Sequence, residues 1–210
     1  MELSIDPEFK RWIAALTTEE YVGLRENIKQ NGCTQPIDVW NGIIIDGHHR
    51  YKICKELNIP FQVHEMDFAS RDDAKDYMIS NQLSRRNLTN EQKMYLLGKL
   101  YNSRKNKHGT NQHTSKRDRT PQNEESTKSE QLGEQFNVGH ATVERAEKYA
   151  LAVDSIALRC GHDVRDKILA GTIGITKADV VVLATLPPNK QMEAVSKIKS
   201  GMKGKHALIS

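Results

Sequence analysis

Ile43-Ile44-Ile45-Asp46-Gly47-His48-His49-Arg50-Tyr51 is the stretch on which the fold of this 210-residue chain turns. Three consecutive β-branched apolar residues suit a short buried strand. Asp46-Gly47 interrupts it, and Gly47 can turn the backbone where any Cβ would obstruct. From Arg50 to Leu57 the spacing predicts a helix, with Ile53 and Leu57 one turn apart and Asn58-Ile59-Pro60 closing it. Strand, glycine turn and helix N-terminus in succession aim backbone N–H groups and the positive helix end at one spot. Two imidazoles and a guanidinium there make an anion pocket, most naturally one for phosphate. The plainer alternative is a tight turn carrying solvated polar side chains, and spacing alone does not choose between them.

The flanks build a small α+β domain over residues 1–80. A short β-like piece around Leu3 and Ile5 precedes Pro7, Phe9 and Trp12. Thr17-x-x-Glu20 is a capping box for a helix with Tyr21, Leu24 and Ile28 on one face, ending at Asn31-Gly32. Pro36 to Trp40 alternates as a strand, Asn41-Gly42 is a two-residue hairpin signal, and Ile43 to Ile45 returns. Phe61 to Met66 alternates again, and Ser70-x-x-Asp73 caps a helix with Ala74, Tyr77 and Met78 facing inward. The unit is too short, and too poor in βαβ repeats, for a full dinucleotide fold.

A second polar cluster opens a connecting segment over residues 81–102: Asn81-Gln82-Leu83-Ser84-Arg85-Arg86-Asn87-Leu88. Folded back over the Gly47 turn, Gln82 and Arg85 would complete an anion site; the alternative is a charged, solvated helix end. Thr89-x-x-Gln92 then caps a helix with Met94, Leu97 and Tyr101 on one face.

Asp46-Gly47-His48-His49-Arg50-Tyr51, followed about thirty residues later by Asn81 to Leu88, resembles the N-terminal domain of ParB-type partition proteins. That fold is shared with sulfiredoxin. The family's first box is typically Gly-Glu-Arg-Arg; its second is Glu-Asn-x-x-Arg with a Leu three residues on. Here Gly47, Arg50, Arg85 and Leu88 hold, as does the preceding strand at Pro36-Ile37-Asp38-Val39, while His48, His49, Asn81 and Gln82 depart. The resemblance covers roughly residues 1 to 150. It implies binding of CTP, or another nucleotide, and spreading on DNA, with phosphate contacts at the matching Gly47, Arg50 and Arg85, to which the reading of the residues themselves adds His48, His49 and Gln82. In the family the carboxylate of the second box helps organise magnesium and hydrolysis. A neutral carboxamide cannot supply that charge to a hard cation, which leaves magnesium in doubt and the expectation one of binding without turnover. No catalytic residue and no metal ligand is therefore assigned. In sulfiredoxin the box is Gly-Cys-His-Arg, so His48 stands where its reactive Cys would be and the thiolate chemistry has no nucleophile. The competing class is a nucleotide-dependent phosphotransferase or nucleotidase. Some relatives are kinases for free serine, and Glu26 is the candidate base for that reading.

From 103 to 126 the composition shifts. Arg104, Lys105, Lys107, Lys116, Arg117 and Arg119 are interleaved with polar residues and no apolar ones, which predicts a flexible basic loop able to neutralise DNA phosphates. A helical domain follows over 127–210. Thr127-x-x-Glu130 is expected to cap a helix, and Glu130 to Arg145 has helix-turn-helix spacing. Leu132 and Phe136 form the inner face, and Gly133 permits close approach of the second helix. Asn137 takes the positive-φ position of the turn and Val138 plugs it; Val143 and Ala146 pack the second helix inward. His140, Thr142, Glu144 and Arg145 fall on its outward face, where a second helix reads base edges. Beyond it, Tyr149 to Ile156 continues the helix or a close successor, and Val164, Ile168 and Leu169 suggest another helix. Lys177 to Leu186 is apolar enough to be buried, and Met192, Val195 and Ile198 line a last helix.

The formal charge of +4 permits nucleic-acid contact without demanding it. Cys33, Cys54 and Cys160 are widely separated, which argues for a reducing compartment and against a disulfide framework or zinc site. No apolar run approaches the roughly 20 residues that span a bilayer. The expected protein is a cytoplasmic, nucleoid- or plasmid-associated DNA-binding protein in plasmid or mobile-element partition or transcriptional control. Its expected partners are double-stranded DNA, a second copy of the chain and a partition ATPase, with no membrane among them.

Overall fold

The computed structural model describes residues 3–13, 16–85, 87–106 and 121–208, with the side chains of 106 and 121–127 outside the description. The chain divides into two units, residues 1–84 and 85–210. Among the described residues no helix is long and apolar enough to cross a membrane.

The first unit is α+β. Its elements are α1 (Pro7–Lys10), α2 (Thr18–Asn31), β1 (Ile37–Trp40), β2 (Ile43–Asp46), α3 (His48–Leu57), β3 (Val63–Glu65) and α4 (Arg71–Leu83). The three strands run in the order β2-β1-β3. Asn41 and Gly42, both at positive φ (50° and 75°), close the β1–β2 hairpin as their sequence implied. β3 pairs parallel to β1, and Ser4 bridges to Ile43 on the outer side of β2, the residue of order left by the expected N-terminal strand. The register shifts by one residue between Asp38 and Val39, where Asp38 faces Asp46 but Val39 faces Ile44. Ile45 is the extra residue of this bulge.

Successive strand residues feed two separate cores. Ile37, Val39 and Ile44 join Leu3 and Tyr51, whereas Ile45 joins Phe9, Ala74 and Met78 with Trp40 and Ile43 against them. The sheet is therefore covered on both sides, which is why the isoleucine run shows no polar alternation. A third cluster of Ile28, Ile53 and Cys54 seals α2 onto α3. The capping box at Thr17 and the N-cap at Ser70 form as the sequence predicts. Two boundaries differ. α3 begins at His48, not Arg50, and α4 runs on to Leu83, absorbing the first residues of the 81–102 connector.

α1 has no apolar periodicity to announce it. Asp6 caps it, accepting from the Glu8 and Phe9 N–H groups, and Arg71 of α4 holds it down. Arg71 reaches Asp6 at 2.7 Å and Glu8 at 2.9 Å and lies 4.4 Å over the Phe9 ring; Lys75 pairs with Glu8 at 2.8 Å. Burial pushes both carboxyls up, but the hydrogen bonds and charge of Arg71 and Lys75 outweigh it and hold Asp6 and Glu8 below their ordinary values of 3.8 and 4.5. Depressed carboxyls contribute stability that is complete above the unfolded values and is lost as pH falls through the folded ones. Acidifying from pH 5 toward pH 3 should thus lower the melting temperature of the first unit. Arg71→Met should flatten that acid limb and cost about 4 °C at pH 7, of the order expected for a partly exposed network. An acid limb of unchanged slope in the variant would sink this account.

The second unit is helical: α5 (Asn90–Asn106), α6 (Pro121–Phe136), α7 (His140–Cys160), α8 (His162–Leu169), α9 (Lys177–Thr185), α10 (Pro188–Lys199) and α11 (Gly204–Ala207). α7 is its axis, burying Val143, Ala146, Tyr149, Ala150, Val153 and Ile156 against the surrounding helices. The Thr89–Gln92 capping box is present, and Thr89 Oγ1 also donates to the Leu169 carbonyl at 2.6 Å.

Three expectations change here. The basic segment is shorter at both ends than 103–126. α5 carries through Arg104 and Lys105, which pair with Gln135 (2.9 Å) and Glu147 (3.4 Å), while residues 107–120 lie outside the described residues. α6 begins at Pro121, so Thr127 is interior to the helix and not its cap. Proline is pre-set for a first helical turn. In α9 only Val180 and Leu183 are buried, and Val182 is exposed, so the Lys177–Leu186 run is half-covered.

Candidate functional site

The Gly47 turn is built as the sequence implies, but its charges are arranged differently. Gly47 caps α3 at φ 91° and, being glycine, brings no side-chain cap of its own to the head of the helix. His48 is buried and His49 half-buried in that first turn. Arg50 does not extend outward. Its Nη2 donates to the Pro36 carbonyl at 3.0 Å and stands 3.6 Å from Asp46 Oδ2, with both side chains about four-fifths covered (19% and 20% exposed). The guanidinium folds over Gly47 closely enough that a Cβ there would sit 3.0 Å from Nη2. Arg50 is thus a clasp joining the entry of β1 to the end of β2, and Asp46 offsets its charge.

Gln82, expected at the same site, is inside the first unit at 1% exposure, on α4. Arg85 belongs to the second unit, half-buried in the segment ahead of α5. Gly47, His48, His49 and Arg50 are consecutive at the end of β2 and the start of α3. The sequence reading missed Asp46, although its position four residues before Arg50 was the available signal.

Glu26 lies on α2, 47% exposed and 3.7 Å from Arg25. Cys54 is buried, and burial together with its neighbour Cys33 pushes its thiol up to about 12, so it supplies no thiolate near neutral pH. Among the described residues no cluster of His, Cys, Asp and Glu is placed to hold a metal ion.

The second candidate is the corner between α6 and α7. Three residues, Asn137 to Gly139, separate the helices. Asn137 takes φ 54°, and the Val138 N–H bonds back to the Gly133 carbonyl at 2.8 Å. A Cβ on Gly133 would stand 2.6 Å from the Val138 carbonyl oxygen, so this glycine makes room for the turn more than for the second helix. Leu132, Val143 and Ala146 are fully buried inside the corner. His140, Glu144 and Arg145 are exposed on α7 and Thr142 is half-buried. Arg145 is nonetheless ordered, its Nε donating to the Ala141 carbonyl at 2.9 Å and its Nη2 to Thr142 Oγ1 at 3.4 Å. Gly139 caps α7 without a side-chain acceptor, and nothing approaches within 4 Å of where its Cβ would be.

No family model matches the chain, and no curated protein matches it in sequence. Solved structures do. A Pnob8-like ParB-N domain superposes with a TM-score of 0.58 at 15% identity, covering 99% of this chain and 89% of the other. A second structure of the pNOB8-like ParB N-domain gives a TM-score of 0.52 at 15% identity, over 95% and 73% of the two chains. A C-terminally truncated chromosome-partitioning protein ParB from Caulobacter crescentus, complexed with CTP-gamma-S, reaches only 0.33, too loose to bear on this chain. The chain has the fold of the ParB N-domain: a small three-stranded sheet in an α+β unit and a mostly helical remainder.

Proposed function

We propose that this ParB-type fold serves a DNA-binding protein acting in plasmid or mobile-element partition or in transcriptional control. The observation that carries the reading is the α6–α7 corner. Its three-residue turn with Asn137 at positive φ, its interior of Leu132, Val143 and Ala146, and its exposed His140, Glu144 and Arg145 beside half-buried Thr142 support reading it as a helix-turn-helix. α7 is the recognition helix in this reading. The net charge of +4 and the basic residues of the 107–120 segment supply sequence-independent attraction to phosphate.

The Gly47 turn is the regulatory site in the same proposal. The head of a helix behind a left-handed glycine favours the phosphates of a nucleotide, and the resemblance at Gly47 to Arg50 selects CTP as the first to test. Backbone N–H groups with His49 make the contact, and Arg50 holds the turn in shape. A second copy of the chain and a partition ATPase are the protein partners that this role would require.

Selection of bound sequences from random double-stranded DNA by the full chain, with and without CTP, tests the proposal. One enriched site, with occupancy that responds to CTP, is the expected result. Equal recovery of all sequences would overturn the base-reading role, and an enriched site indifferent to CTP would remove the regulatory one.

A further inference from the structure

We infer that Arg145 reads a guanine through the outer end of its guanidinium, with Thr142 as the residue that positions it; this deepens the DNA-binding reading and rests on it. Arg50 and Arg145, two of the arginines singled out by the sequence, are tied in opposite ways. Arg50 is held by a carboxylate, which offsets its charge. Among the described residues Arg145 is held by neutral acceptors, the Ala141 carbonyl and the Thr142 hydroxyl, on an exposed face. Adjacent Glu144 makes no ion pair with it among the described residues.

Guanidinium geometry then fixes what remains available. The Nε–H and one Nη2–H lie along one edge of the planar fork, and both are directed at the helix. The remaining end-on pair, one N–H from each Nη, is parallel and free to meet two acceptors at once. Guanine is the base that presents two adjacent acceptors, O6 and N7, in the major groove. Adenine sets a donor beside its N7, cytosine offers a donor, and thymine has one acceptor next to a methyl group. The tether also places the group. Ala141 and Thr142 belong to the first turn of α7, so Arg145 is drawn toward the helix end that meets base edges in a helix-turn-helix. Fixing the side chain before binding removes part of the ordering cost that a free arginine would incur.

The test uses the full chain and its own selected DNA site, with each position varied through all four bases and binding followed by fluorescence anisotropy. The wild-type protein should show one position where replacing guanine by adenine weakens binding roughly ten- to a hundredfold. Arg145→Ala should bind all four bases alike at that position and keep its preferences elsewhere. Arg145→Lys retains the charge without the fork, so it should keep affinity for random DNA within about twofold while losing most of the guanine preference. Thr142→Val should reduce the guanine preference severalfold, and Thr142→Ser, which restores the hydroxyl, should recover it. If Arg145→Ala weakens binding equally on every sequence and leaves the preferences intact, Arg145 is a phosphate contact; the inference fails and the DNA-binding reading stands. If the wild-type chain binds no DNA, both fail together.

Discussion

Gly98→Ala should lower the stability of the helical unit by about 2 kcal/mol, although alanine is the better helix former. Gly98 lies on α5 where it crosses α7, and a Cβ there would collide with the carbonyl group of Ala146 and stand 2.8 Å from the Cβ of Ala150. Both alanines are fully buried, so the crossing is close because all three residues are small. A backbone carbonyl inside a helix cannot swing aside as a long side chain could, so the two helices must separate. Tyr95, Leu96, Leu97 and Leu100 on α5, packed with α7, would be loosened together. So would the polar contacts at the same crossing, Tyr95 to Asp154 at 2.6 Å and Lys99 to Asp154 at 2.7 Å. Overpacking of this kind costs about 1–3 kcal/mol and sometimes more, against a gain of about 1 from helix propensity. Gly23→Ala on α2 is the matched control. No atom lies within 4 Å of its Cβ position, so only the propensity gain remains and stability should rise by up to about 1 kcal/mol. Urea unfolding followed by circular dichroism reads both. An unchanged or higher midpoint for Gly98→Ala would show that α5 can withdraw from α7 without loss.

Gly98 also marks a limit of what the sequence discloses. Capping boxes at Thr17 and Thr89, the N-cap at Ser70, the Asn41-Gly42 hairpin and the left-handed Asn137 are legible because each is a local device whose chemistry lies within four residues. A mid-helix glycine carries no such signature. It reads as a weak point until the partner helix, nearly fifty residues on, shows why a side chain is excluded. The Ile45 bulge is hidden for a related reason: a sheet covered on both sides has no polar alternation from which to read a register slip. The start of α6 at Pro121 escaped because 121–126 offers no apolar periodicity, only proline and residues compatible with a first turn. At the α6–α7 corner the positive φ of Asn137 and the burial of Leu132, Val143 and Ala146 were legible, whereas the start of α6 and the part played by Gly133 were not. At the Gly47 turn the residues were legible and the charge distribution was not. A guanidinium beside a helix N-terminus suggests an anion ligand, whereas here a carboxylate one turn back and the Pro36 carbonyl, brought near by the hairpin, have already engaged it.

That distinction produces the second large effect, at Gly47. Gly47→Ala should destabilise the first unit by about 2–4 kcal/mol in the absence of any ligand. At φ 91° an L-residue carries left-handed strain of about 1–2 kcal/mol. The new Cβ would also stand 2.9 Å from Cδ1 of Ile37, a fully buried residue of the sheet core, and 3.0 Å from Arg50 Nη2. Ile37 has little room to yield, so Arg50 is the group that moves. Moving it breaks the bond to Pro36 and leaves Asp46, 20% exposed, without its guanidinium. The clasp makes a further demand that an anion-ligand role for Arg50 does not. Arg50→Ala should cost about 1–2 kcal/mol with no nucleotide present, since it removes a charge-assisted hydrogen bond from a mostly buried site. The pair should then combine sub-additively in a double-mutant cycle, because once Arg50 is gone the methyl introduced by Gly47→Ala loses one of its two close neighbours. Full additivity would mean that the two residues act independently. An Arg50→Ala variant as stable as the wild type in nucleotide-free buffer, yet unable to bind CTP in calorimetry, would return Arg50 to the role of ligand and remove the clasp.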